Sequence, residues 1–244
     1  MNRLRNEFIN VFCERWKRVA LTICILFLAL LKQYDRIHNS FICDDGFNSL
    51  EVLKLCMKGV SNYYNPDVEG IPIEWLSFYI ACILMVSGIR DKSKSRFYYD
   101  VIKEKGRKNW YINKVIDVLI LTFFVFLLFV LGGSIPFLLS AKMLSIEELK
   151  RYLLYILAMY FSIVFITLIH LIVELYCNQA IAIMLDVMLV FLSMFLPGLW
   201  IPLQQTMAFR NGSMSSLFLL WDLLVVGIVV FSETKMILRY EFLK

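Results

Sequence analysis

The sequence predicts an all-α integral membrane protein of six transmembrane helices with both termini in the cytosol. Three observations predict it. First, 60% of the 244 residues are hydrophobic and the mean hydropathy is +0.70, whereas soluble domains run nearer about 45–50% apolar. Second, the apolar residues come in blocks of bilayer-crossing length, roughly 20 residues each, rather than as one-sided stripes around a single core. Third, of the 25 Lys and Arg between those blocks, 17 fall on the side that holds the N-terminus and 8 on the other. By the positive-inside rule the first side is cytosolic.

Taken in order, residues 1–18 carry Arg3, Arg5, Arg15, Lys17 and Arg18, with Leu4, Phe8, Val11 and Phe12 at helical spacing. That is the pattern of a helix lying on the cytosolic membrane face. The first span is about 16–34, so Arg18 and Lys32 must snorkel to the interfaces. No small-residue cleavage site follows it, and it is expected to stay as an uncleaved span. The exterior loop 32–70 is acidic (Asp35, Asp44, Asp45, Glu51, Asp67, Glu69). It has room for a short helix over "SLEVLKLCMKGV" but not for a core of its own. The second span, 71–89, opens at Pro72, a residue suited to a helix N-terminus, and closes at Arg90. The cytosolic segment 90–114 holds nine bases. The third span is about 115–139, where Gly132–Gly133 reads as a close helix contact or a bend before Pro136. The fourth is 152–173, the fifth about 178–197 ending at "LPG", and the sixth about 215–232, ending before Glu233.

The exterior connection 198–214 is apolar and aromatic, and Pro197, Gly198 and Pro202 break any continuous helix there. Two readings fit. It folds back as a re-entrant segment of short helices buried in protein, because non-helical backbone at membrane depth needs internal partners. Or it forms an interfacial belt with Trp200 and Phe209 at headgroup level. Residues 1–244 read as a single transmembrane domain.

Few residues could carry chemistry. The only histidines are His38 and His170, too few for a His-based metal centre, and no metal is expected. There is no GxxxxGK[ST], so the chain has no phosphate-cradling loop. "IEELKR" (146–151) is similar to the Glu-Glu-x-x-x-Arg signature of membrane CAAX-type proteases. However, Arg151 follows Glu148 by three positions instead of four, and Ser145 with Glu148 reads as a capping box. Of the six cysteines, only Cys43 and Cys56 share an exterior loop, where a disulfide is one open reading. Ionisable groups inside spans default to functional hypotheses. Asp117, Glu74, His170 and Glu174 sit near span ends, where solvation or interhelical pairing accounts for them. Asp186 and Asp222 lie deeper, and a substrate path and helix pairing both remain open for them.

The stretch "KEKGRKNWYINK" (103–114) places Trp110 and Tyr111 among Arg107, Lys108 and Lys114 just before the third span. This composition suits an interface hot spot with a charged rim or a headgroup-binding helix. Here the chain resembles the membrane (permease) subunits of ABC-2-type transporters, in particular small bacterial subunits of antimicrobial peptide or bacteriocin export and immunity. Gly106, Arg107, Trp110, Tyr111 and Lys114 match that family's stretch, although the usual Ser between Gly and Arg is missing. The short turn "ELYCNQA" and "LPGLW…MAFR" are also similar, with Trp200 and Arg210 at matching positions.

The resemblance implies a multi-pass protein of the bacterial cell membrane that does no ATP chemistry itself. Residues 97–114, with Gly106, Arg107, Lys108, Trp110, Tyr111 and Lys114, would form a coupling helix docked on a separate ABC ATPase. That ATPase would be present in two copies and would bind the ATP and Mg. The chain would pair with a second permease subunit, identical or related, and export a peptide or amphipathic, lipid-like substrate. His170, Asp186, Asp222, Trp200 and Arg210 are the candidates for the substrate path or helix pairing. No nucleic-acid partner and no cofactor in this chain are expected. The competing class is a non-transporting membrane immunity or scaffold protein acting through its exterior loop.

Overall fold

The computed structural model describes residues 16–41, 54, 57–88, 106–139, 146–208, 210 and 216–239. The described residues form helices and connecting turns with no strand among them. Among the described residues there are eight helices: α1 (Trp16–Phe41), α2 (Pro66–Glu69), α3 (Ile73–Val86), α4 (Arg107–Leu139), α5 (Ile146–Tyr176), α6 (Gln179–Phe195), α7 (Pro202–Gln205) and α8 (Ser216–Arg239). Among the described residues three stretches are long and apolar enough to cross a membrane, Lys108–Leu131, Leu149–Tyr176 and Leu217–Met236, and Ile73–Val86 and Gln179–Phe195 are shorter apolar helices.

The surface supports a bilayer environment. Leu21, Phe27 and Leu28 of α1, Met184, Met188 and Phe195 of α6, and Leu217, Leu220, Leu223, Ile228 and Phe231 of α8 all face outward. Apolar faces of that extent are not sustained in water and are ordinary against lipid tails. The chain is an integral membrane protein.

α5 is the central post, packed by α3, α4, α6, α7 and α8, and α3 stands beside it, touching α1, α4, α5 and α6. Trp75, Phe78, Tyr79, Leu121, Phe129, Met159, Ile163 and Ile166 fill the space between them, with the Phe78 and Phe129 rings 4.4 Å apart. Contacts along the helices fix their directions. Tyr79 meets Ser162 and Gly88 meets Glu174, so α3 and α5 run parallel. Thr22 meets Met85, so α1 runs against α3. Two ends follow: a loop end, where 57–61 and 198–208 gather, and a charged end, where Arg18, Gly88, Tyr111, Glu174 and Glu233 gather.

Local sequence sets the helix limits. Pro72 is the N-cap residue of α3, and Gly88, at φ +74°, turns the chain away after its last turn. The Asn178 side chain accepts from the Ile181 amide at 2.8 Å and starts α6 two residues after α5 ends. Pro197 and Gly198 (φ +106°) stop α6. At 1.5 Å per residue α3 is about 21 Å long and α4 about 50 Å, from 14 and 33 residues.

Four boundaries differ from expectation: α1 runs on to Phe41 rather than ending near 34, α5 starts at Ile146 rather than 152, and two more have a local reason. The segment 107–114 is not a helix set apart from the third span; it forms the first two turns of α4. α8 continues past Glu233 to Arg239, because the Glu233 carboxylate is taken inward by Tyr111. Cys43, Cys56, Ser145, Phe209 and the segment 90–105 lie outside the described residues.

Candidate functional site

The residues singled out in the sequence fall into three separate places. The first is the charged end. His170, one and a half turns before the end of α5, is fully buried. Its Nδ1 meets Asp186 Oδ2 of α6, and its Nε2 lies 3.3 Å from Glu174 Oε2. Glu174 also accepts from the Gly88 amide at 3.0 Å. An imidazole is thus held between two buried carboxylates from two helices, and a third helix supplies a backbone donor. Arg18 lies over Gly88: a Cβ there would fall 2.5 Å from its Nη1. The His170–Asp186 contact joins α5 to α6. On the other side of the same end, the Tyr111 hydroxyl donates to Glu233 Oε2 and Lys114 pairs with Asp117 at 3.6 Å.

Trp110 and Tyr111 are each 3% exposed. They therefore do not project as anchors for a partner; they continue the buried stripe of α4 through Val118, Thr122, Val125 and Phe129, at the 3.6-residue period of a helix. What this segment offers outward is Lys108, Asn109 and Ile112.

The second place is the loop end. Arg210 is 7% exposed, and its guanidinium is spent on backbone carbonyls. Nε donates to Val60 O and Ser61 O, both at 3.1 Å. Nη1 donates to Ser193 O at 3.0 Å and Leu196 O at 2.7 Å, and Nη2 donates to Met194 O. A cation on the last carbonyls of α6 satisfies acceptors that the helix leaves open, and the fork geometry of Arg lets one side chain reach two segments. Burial lowers the Arg210 pKa, and the Glu69 carboxylate opposes that shift. Glu69 in turn accepts from the Ser61 amide at 2.7 Å. The Ala208 amide donates to Met57 O at 2.9 Å, and Gln204 Nε2 donates to Leu196 O at 2.9 Å. Residues 202–207 are buried, while Trp200 is exposed, edge-on to Trp221 at 6.2 Å, with the Trp221 indole donating to Trp200 O.

The third place is between these two. Thr206 Oγ1 accepts from the Trp75 indole at 3.1 Å and meets the Tyr79 hydroxyl at 2.8 Å. Tyr79 reaches Ser162 Oγ at 2.7 Å, and the Tyr155 hydroxyl donates to Thr206 O. Asp222 is fully buried on α8. No protein-family model matches the chain, and neither a curated protein nor a solved structure does. The geometry is therefore the ground for any reading of function.

Glu147, Lys150 and Arg151 are exposed on the first turns of α5. Among the described residues no three His, Cys, Asp or Glu side chains converge as a metal site. Cys24, Cys82 and Cys177 are free thiols. Sequence reasoning missed Trp75, Tyr79, Tyr155, Ser162 and Thr206. The i, i+4 spacing of Trp75 and Tyr79 marks one helix face carrying two donors, which was a readable signal.

Proposed function

We propose that this chain is the membrane-spanning subunit of an ABC-2-type exporter in the bacterial cell membrane. In this reading all six long helices span and both termini are cytosolic. The charged end faces the cytosol, and ATP hydrolysis belongs to two copies of a separate ATPase subunit. A second permease subunit, identical or related, completes the pathway for a peptide or an amphipathic, lipid-like substrate.

The observation that carries the reading is the broken segment after α6. Residues 202–207 are buried against α5 and α6, held by Trp75, Tyr79 and Tyr155 from inside and by Arg210 from the end. A single helical turn with its flanking residues, buried in protein and with its polar groups used in this way, suits a re-entrant element between the last two spans. The alternation of the helices and the excess of bases on one side also fit.

The docking surface in this reading is the exposed Lys108, Asn109 and Ile112 strip, not the Trp110–Tyr111 pair. Co-expression with the ATPase encoded beside its gene and purification through a tag on this chain tests the proposal. A stoichiometric ATPase band supports it. Absence of the ATPase from well-folded protein rejects it in favour of an immunity or scaffold role.

A further inference from the structure

Both nitrogens of the His170 ring face a carboxylate oxygen, and the ring is fully buried. Nδ1 is bonded to Asp186 Oδ2 of α6. Nε2 lies 3.3 Å from Glu174 Oε2, off the line of a formed hydrogen bond. A neutral imidazole carries one N–H and one lone pair. Whichever nitrogen held the lone pair would press it against an electron-rich oxygen in a buried site. A proton on each nitrogen makes both contacts attractive. Glu174 Oε2 also accepts from the Gly88 amide at 3.0 Å, so two donors converge on it, as they do on an ionised oxygen. Arg18 of α1 lies over the same Gly88. With a charged imidazole, two cations and two carboxylates share this end.

No other ionisable group among the described residues has a contact with the ring. Asp186 is the only one on α6, and α7 has none. On α3, Tyr79 is bonded to Ser162 and Thr206, Cys82 is a buried thiol, and Glu74 lies in the first turn, away from Gly88. On α4 and α8, Tyr111 donates to Glu233, Lys114 pairs with Asp117, Lys108 and Lys235 are exposed, and Asp222 sits next to Trp221, which donates to Trp200 at the loop end. On α5 itself, Tyr160 and the groups before it lie about 15 Å or more away along the helix, and Tyr176 and Cys177 are exposed.

The two ring protons are not held alike. Asp186 has Nδ1 as its one hydrogen-bond partner among the described residues, and its Oδ1 has none. Glu174 keeps the Gly88 amide whether or not Nε2 is protonated. The Nε2 proton is therefore the one the site gives up first.

We propose that His170, Asp186 and Glu174 form a proton-binding site, filled at neutral pH by an imidazolium, whose state is passed to Gly88 at the end of α3. On release the Nε2–H bond breaks, its electron pair stays on nitrogen, and the proton goes to water at the charged end. No other bond changes. The new lone pair repels Glu174, the acceptor that holds Gly88 where the chain leaves α3. The site is independent of the transport reading and of any ATPase.

Solid-state NMR of the full chain in lipid vesicles tests this, with ¹⁵N-labelled histidine to read the rings. The chain has two histidines, and His38→Gln assigns the signals of His170. Carbonyl-¹³C serine with ¹⁵N glycine singles out the Gly88 amide, because Ser87–Gly88 is the only Ser-Gly step in the sequence. At neutral pH both His170 nitrogens are expected to carry protons. Raising the pH is expected to strip Nε2 alone and to shift the Gly88 amide with the same midpoint. Asp186→Asn and Glu174→Gln are each expected to lower the proton affinity of the ring by about tenfold or more. A His170 ring with one N–H at neutral pH overturns the proposal, and that result needs no change within the site. So does an unchanged midpoint in whichever of Asp186→Asn and Glu174→Gln folds, or a Gly88 amide that stays in place while the ring titrates.

Discussion

Gly59 and Met207 pack so closely that a side chain on Gly59 has nowhere to go. A Cβ built there falls 2.5 Å from Met207 Cβ and 3.1 Å from Met207 Cα, and Gly59 itself sits at φ +62°. Through this contact the loop before α2 is clasped to the segment after α7. Gly59→Ala is expected to lower stability by about 2–4 kcal/mol, from left-handed backbone strain plus overpacking. In a Met207→Ala background the same change is expected to cost only about 1–2 kcal/mol, the strain alone. A double-mutant cycle by thermal unfolding in detergent measures the difference. Equal costs in both backgrounds would remove the clasp.

Arg210 is the other half of that clasp. Arg210→Ala strands carbonyls of α6 and of residues 60–61 together, and a loss of about 3–5 kcal/mol is expected for breaking such a buried charged group's contacts. Arg210→Lys is expected to recover less than half of it, since an ammonium cannot fork between Val60–Ser61 and Ser193–Leu196. Amide exchange at Ser61 and Leu196 reads this directly. Protection restored in full by Lys would mean that charge alone suffices.

At the charged end, His170 separates Asp186 from Glu174. His170→Leu leaves two buried carboxylates facing a site with no imidazole, and is expected to cost about 3–5 kcal/mol. His170→Leu with Asp186→Leu removes the pair together and is expected to be less destabilising than His170→Leu alone, within about 2 kcal/mol of the wild type. Unfolding midpoints of the two variants decide it. If the double change is the worse of the two, the network is holding more than a helix pair.

Substitutions on the strip proposed to dock an ATPase separate docking from folding. Lys108→Glu reverses an exposed charge, and Lys108 is accessible on α4. It is expected to weaken ATPase co-purification while changing stability by no more than about 0.5 kcal/mol. Trp110→Ala empties a buried site and is expected to cost about 3–5 kcal/mol of stability. Capture at wild-type yield by a folded Lys108→Glu chain would move the docking surface elsewhere.

The sequence by itself determined where the long helices lie, but α1, α4, α5 and α8 each overrun the expected span at one end by about two turns. Apolar blocks, Pro72, Asn178 and "LPG" act locally, through hydrogen bonding and backbone geometry confined to one turn. The Trp110–Tyr111 burial was also legible, had the α4 stripe been followed back from Phe129 at its helical period. Only the tertiary structure decided that His170 meets Asp186, that Arg210 reaches from one connection to another, and that the Asp222 oxygens find no hydrogen-bond partner among the described residues. Those outcomes depend on the rotation and depth of one helix against its neighbours. Many side-chain contacts set these together, and no short stretch of sequence encodes them.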